Sequence, residues 1–263
     1  MSLAEELELL RTRGFDLDRA QIVVLLREAA ILMFQAFPDS FLLYGGANLI
    51  LFHDSLRTSR DLDLLSQGAP LPKAEDTIRV LSEGLQELGK LLGLAPLKVN
   101  AEIAEPAYLK LEVASREDRR LFTVDLGGLG SVLKSGIEEH TMEAVSLNMT
   151  ATIRSVSRDH LLLQKAEAFV FRAGVKARDA YDIQLLLDAG GTLSGELENH
   201  LTDALAIQEV GRGDIIARIE QVTAKLCRRQ LADVLPAKEY GALERADFQP
   251  LRSAVTKLFQ RWL

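Results

Sequence analysis

Asp61 and Asp63, one residue apart in "DLDLL", and Gly45 and Gly46, which close the apolar run "FLLY", are the residues of this chain best suited to chemistry. Side chains on a strand alternate faces, so the two aspartates share one face while Leu62 and Leu64 point into a core. Two carboxylates held that close cost free energy unless a cation lies between them, and hard oxygen donors suit Mg2+ or Mn2+. The glycines follow an expected strand and open an expected helix, where bare backbone N–H groups and a helix N-terminus hold phosphate. One element would then hold a polyphosphate and the other its metal ions. Two such ions about 4 Å apart polarise an attacking hydroxyl and stabilise a leaving pyrophosphate. Taken alone, however, a DxD pair is also what the wet face of a strand looks like, and GG is also a turn.

The elements that must position these residues follow from hydrophobic periodicity. "LAEELELLRTRG" and "FDLDRAQIVVLLREAAILMFQAF" read as helices, the second capped by Asp18 and ended by Pro38 and Asp39. "FLLY" is a short buried strand, "ANLILFH" a short helix starting at the glycines, and "DLDLL" a second strand. "AEDTIRVLSEGLQELGKLLG" has continuous helical spacing, and the β-like segments "LKVNAEI", "AYLKLEV" and "RLFTVDL" follow, with "SREDR" as a hairpin loop. From Ser157 onward the chain reads as nearly all helix. The expected fold class is α+β: a small mixed sheet flanked by helices in residues 1–155, followed by a helical domain in residues 156–263.

In that helical half, "LLLQKAEAFVFRAGVKARDAYDIQLLL" puts Lys165 and Arg172 close together on a wheel, between Leu161, Ala168 and Phe169. Asp179 and Asp182 are a turn apart and lie alongside Ile183 and Leu186, so this pair also faces inward. A buried ion-pair network tying two helices would produce the same pattern. His53 and His160 have no ligand spacing to a partner, Tyr181 and Trp262 read as packing, and the single cysteine, Cys227, has no partner for a disulfide or a zinc site.

A net charge of −7 and a pI near 5.3 argue against a broad basic face that would grip nucleic acid through phosphates. No run approaches the roughly 18 apolar residues of a membrane span, and the opening "MSLAEELELLRTRG" is too acidic for a signal peptide. The expected location is cytoplasmic, without a membrane partner.

The ordered set Gly45, Gly46, Arg57, Ser59, Asp61 and Asp63 resembles the first motif of the AbiEii/AbiGii-type toxin nucleotidyltransferases, within the polymerase-β-like nucleotidyltransferase superfamily. That motif is GG or GS, then RxSxDxD after roughly a dozen residues. Gly46 stands where many superfamily members carry serine, which removes a hydroxyl from the phosphate side. The helical segment around Lys165 and Asp182 is similar to the family's K…R…RDxxD region, and the resemblance covers about residues 40–190.

The resemblance implies transfer of a nucleoside monophosphate from an NTP to a hydroxyl acceptor, dependent on Mg2+ or Mn2+. Asp61 and Asp63 would ligate metal. A third carboxylate, Glu112 in preference to its rival Asp125, would complete the set as ligand or general base. Gly45, Gly46, Arg57 and Ser59 would bind the nucleotide, Lys165 its phosphates, and Asp182, or else Asp179, would orient it, with Arg172 and Arg178 supporting. The acceptor would be a tRNA 3′ end or a protein side chain, and the role that of the toxin of a type IV toxin–antitoxin or phage-defence pair with an antitoxin partner. Two alternatives remain at this level: a small-molecule (antibiotic) nucleotidyltransferase, and a catalytically silent nucleotide-binding or interaction module.

Overall fold

The structure is a computed structural model that describes residues 2–67, 71–127, 136–147 and 149–263. The chain divides into two units, Met1–Asp54 with Thr58–Val156, and Ser55–Arg57 with Ser157–Leu263. The three residues Ser55–Arg57 thus group with the helical unit although they lie in sequence between elements of the first.

The first unit opens with α1 (Leu3–Thr12), started by a capping box between Ser2 and Glu5, and α2 (Leu17–Ala36). The cap of α2 is Asp16, which accepts from Arg19 N at 2.8 Å; Asp18, the expected cap, lies inside the first turn and pairs with Arg119 at 2.6 Å. Along α2 nearly every side chain from Ala20 to Phe34 is buried, because the helix packs on α1, on later helix α4 (Ala74–Gly84) and on sheet strand β7 (Thr150–Val156). Then come β1 (Phe41–Tyr44), α3 (Gly45–Phe52) and β2 (Asp61–Ser66).

The long helix expected after β2 is two, α4 and α5 (Gln86–Leu91). The two meet at Leu85, and at Gly84, the last residue of α4, a Cβ would stand 2.5 Å from Leu32 Cδ2, so α4 approaches α2 at a residue without a side chain. The three expected strands are β3 (Lys98–Glu105), β4 (Tyr108–Ala114) and β5 (Arg120–Gly127). Two further strands, β6 (Ile137–Glu143) and β7, lie where no strand was expected.

Among the described residues these form one mixed seven-stranded sheet in the order β3-β4-β5-β2-β1-β7-β6. β2 is antiparallel to β1 and parallel to β5, and β7 is parallel to β1. The fold class is α+β, as expected, but the sheet is larger than the small one expected. Its centre is apolar on one face: Leu62, Leu64, Phe122, Val124, Leu126 and Leu111 are fully buried. Asp61 and Asp63 alternate with the two leucines in β2 and stay partly exposed on the other face.

The second unit contains α6 (Arg158–Phe171), α7 (Ala177–Asp188), α8 (Glu196–Ile207), α9 (Arg212–Gln221), α10 (Ala224–Leu231), α11 (Ala237–Arg245) and α12 (Gln249–Phe259), with a 3-10 turn at Gln260–Trp262. "GDIIARIEQVTAKLCRRQL" reads as one helix in sequence, but Thr223 divides it into α9 and α10, its hydroxyl capping Leu226 N. No helix among the described residues is long and apolar enough to cross a membrane.

Asn48 fixes the short helix α3 to the sheet. It is fully buried, and its amide nitrogen donates to Leu43 O at 3.2 Å and to Val156 O at 2.8 Å. Asn48→Ala leaves two carbonyls without that donor, and we expect urea unfolding to show a loss of roughly 1–3 kcal/mol.

Candidate active site

Strand order and register decide which polar side chains meet on the exposed face. Asp61 on β2 stands opposite Thr123 on β5, and Asp63 stands opposite Asp125, with Tyr44 of β1 across from Asp63 on the other side. The Thr123 hydroxyl lies 3.1 Å from Asp61 Oδ1 and 2.8 Å from Asp125 Oδ2. Asp125 Oδ1 accepts from the hydroxyl of Tyr108. Burial, then the negative charges of Asp63 and Asp125, raises the Tyr44 phenol above its ordinary value; burial and the Asp125 hydrogen bond do the same for Tyr108. Both hydroxyls therefore stay protonated through the physiological range.

Glu112 lies one strand further out. It stands opposite Thr123 on β4, and its carboxylate accepts from Arg120, which also donates to Glu102. Lys110, opposite Asp125, has its Nζ 3.9 Å from Asp125 Oδ1 and 3.7 Å from Glu102 Oε2. Of the two residues weighed in sequence as a third carboxylate, Asp125 is the one on the strand next to the aspartate pair.

Gly45 closes this arrangement from the side of β1. Its φ is +69°, and a Cβ built there would stand 2.1 Å from Asp63 Oδ2. Only glycine gives both that backbone conformation and that close approach. The N-cap of α3, Tyr44, makes no side-chain capping bond, and Gly45 and Gly46 form the first turn. Ser59 turns its hydroxyl to the backbone of Asp61, 3.4 Å from the amide nitrogen.

Among the described residues no group of three or more His, Cys, Asp or Glu side chains is gathered so that it would hold a metal ion by itself. Mg2+ does not require such a cage: one or two carboxylates, waters and substrate phosphate oxygens complete its octahedron. Asp61 and Asp63 are hard oxygen donors of that kind, with Asp125 across from Asp63 on β5, and chemically they suit Mg2+ or Mn2+ completed by water and phosphate oxygens.

In the helical unit Asp182 is fully buried and receives two cations. Arg57 donates to it through Nε at 2.8 Å and Nη2 at 2.9 Å, and Lys165 Nζ lies 3.0 Å from its Oδ2. Burial alone would raise this carboxyl, but Arg57 and Lys165 hold it below the usual aspartate range. Arg57 is opposed in the same way: burial would lower it, and Asp182 outweighs that. Asp179, also buried, pairs with Arg172 at 2.7 Å, yet burial wins there and raises it. Arg178 points to solvent. Asp182 rather than Asp179 therefore holds Lys165, and Arg57 is a buried partner of the same carboxylate.

Sequence reasoning passed over Thr123 and Tyr108. "TVD" in β5 carried a signal, since Thr123 and Asp125 share a face at period two, but nothing in the sequence said which strand β5 would join.

The fold is shared with solved structures of low sequence identity. A putative nucleotidyltransferase from H. pylori superposes with a TM-score of 0.51 at 14% identity, covering 90% of this chain and 93% of that one. JHP933 from Helicobacter pylori gives a TM-score of 0.52 at 13% identity, covering 90% of each. A search of curated proteins returns no match. The family model described as "Nucleotidyl transferase AbiEii toxin, Type IV TA system" matches residues 29–261, and the chain belongs to that family.

Two expectations come from this geometry. Gly45→Ala forces a side chain into a left-handed conformation and against Asp63; stability should fall by roughly 1–3 kcal/mol in denaturant unfolding, with nucleotide transfer lost. Asp182→Ala leaves Arg57 buried without its counter-ion and should cost about 3–5 kcal/mol, whereas Lys165→Met, which keeps the Arg57–Asp182 pair, should unfold much nearer the wild-type midpoint.

Proposed function

We propose that the protein transfers a nucleoside monophosphate from an NTP to a hydroxyl-bearing acceptor with Mg2+ or Mn2+ bound at Asp61, Asp63 and Asp125. The observation that carries this reading is the set of three carboxylates on one sheet face, beside a glycine turn whose missing Cβ makes room for Asp63. The acceptor oxygen attacks the α-phosphorus, the bond to the β-phosphate's bridging oxygen breaks, and pyrophosphate leaves. Asp125, on the strand beside the DxD pair, takes the role first given to Glu112 and receives the acceptor's proton. The first turn of α3 presents backbone N–H groups to the phosphates. A bound divalent cation supplies charge neutralisation on the phosphates and on the leaving pyrophosphate.

From the helical unit the reading takes Lys165 as the cation for the phosphates, on the strength of the sequence resemblance, with Asp182 holding its ammonium group. Arg57 and Ser59, expected at the nucleotide, act in this reading through what they support: Arg57 through Asp182, and Ser59 through the backbone of Asp61.

Family membership supports an antitoxin partner and the role of toxin in a type IV pair. A tRNA 3′ end or a protein side chain is the acceptor we propose. The net charge of −7 favours one further reading, a small-molecule acceptor, because it argues against a broad basic face for RNA.

The test uses purified protein, each of the four NTPs labelled at the α-phosphate, Mg2+ or Mn2+, and total tRNA, protein or small acceptors. Asp61→Ala and Asp125→Asn should each lower transfer at least about 100-fold, an amount typical of losing a group that stabilises transition-state charge. Glu112→Gln should lose far less than Asp125→Asn. Equal activity in wild type and Asp61→Ala across all acceptors would remove the enzyme reading.

A further inference from the structure

We propose that Thr123 is a positioning residue whose hydroxyl sets the orientation of both Asp61 and Asp125 toward a divalent cation, with Tyr108 fixing the far oxygen of Asp125. The inference rests on the metal-binding reading above and assigns its second layer.

Thr123 is buried, at 3% exposure, and sits on β5 directly across from Asp61. Its single hydroxyl lies within hydrogen-bonding distance of two carboxylates on different strands. A hydroxyl has one proton to donate, so these two carboxylates share it, and neither can turn without breaking the shared contact. Asp125 is held at both ends, since its other oxygen accepts from Tyr108 on β4. Each carboxylate oxygen keeps a second lone pair. The hydroxyls thus fix the planes of the groups and leave acceptor capacity for a cation.

A threonine here could serve only as a β-branched residue filling a strand, a role valine performs as well. The two readings separate because valine copies the shape and lacks the hydroxyl. Groups that orient metal ligands typically contribute about 10–100-fold in metal affinity.

The experiment is a Mn2+ titration of the full chain without nucleotide, followed by the electron paramagnetic resonance signal of free Mn2+. Thr123→Val should weaken Mn2+ binding about 10-fold or more, Thr123→Ser should restore it to within a few-fold of wild type, and Tyr108→Phe should also weaken it. All should unfold near the wild-type temperature. Wild-type affinity in Thr123→Val overturns the inference, as does a loss in Thr123→Ser equal to that in Thr123→Val, which would point to shape. Asp61→Ala is the control: if it loses Mn2+ while Thr123→Val keeps it, the metal site stands and only the positioning role falls. If Asp61→Ala binds Mn2+ like wild type, the metal site falls and the positioning role with it.

Discussion

Like charges directly opposite one another on neighbouring strands repel, and this sheet puts Asp63 and Asp125 in that relation, with Asp61 two residues along the same face. The surroundings of the three carboxylates follow from that constraint. Thr123 and Tyr108 direct hydroxyls at them, Lys110 stands across from Asp125, and Tyr44 stays a neutral phenol beside Asp63. Gly45 carries no side chain, and that leaves Asp63 its space. These contacts offset part of the repulsion, and a bound cation would offset more. Like charges gathered on one face are costly to stability unless their surroundings compensate them.

The helical unit uses the opposite arrangement. One carboxylate, Asp182, is buried completely and receives two cations, Arg57 and Lys165. A buried ion pair is a weak source of net stability, but removing one member is expensive, so such a cluster holds its members in place more than it strengthens the fold. Its consequence for chemistry is that the Lys165 ammonium is fixed at a defined position. Arg57, four residues before Asp61 in the chain, is held by the same carboxylate.

Much of this was readable from local pattern. "FLLY", the glycine turn, "DLDLL" and the hairpin around "SREDR" are short-range features, and each forms the expected element. What escaped depends on distant partners. β6 is a polar edge strand with little apolar signal, and β7 pairs with it along its whole length and with β1 at Leu43–Ser155. From sequence, Glu112 and Asp125 are both polar positions on β strands; only the placing of β5 between β4 and β2 distinguishes them. Arg57 was legible as a motif residue but not as a partner of Asp182, because that pairing spans 125 residues of chain.

The most direct test of the account is anomalous scattering from crystals of the protein grown with Mn2+ and a non-hydrolysable NTP. The account predicts an anomalous peak ligated by Asp61 and Asp63, with Asp125 at the same centre and Glu112 still paired with Arg120. A peak ligated by Glu112 without Asp125, or no peak at Asp61 and Asp63, would contradict it.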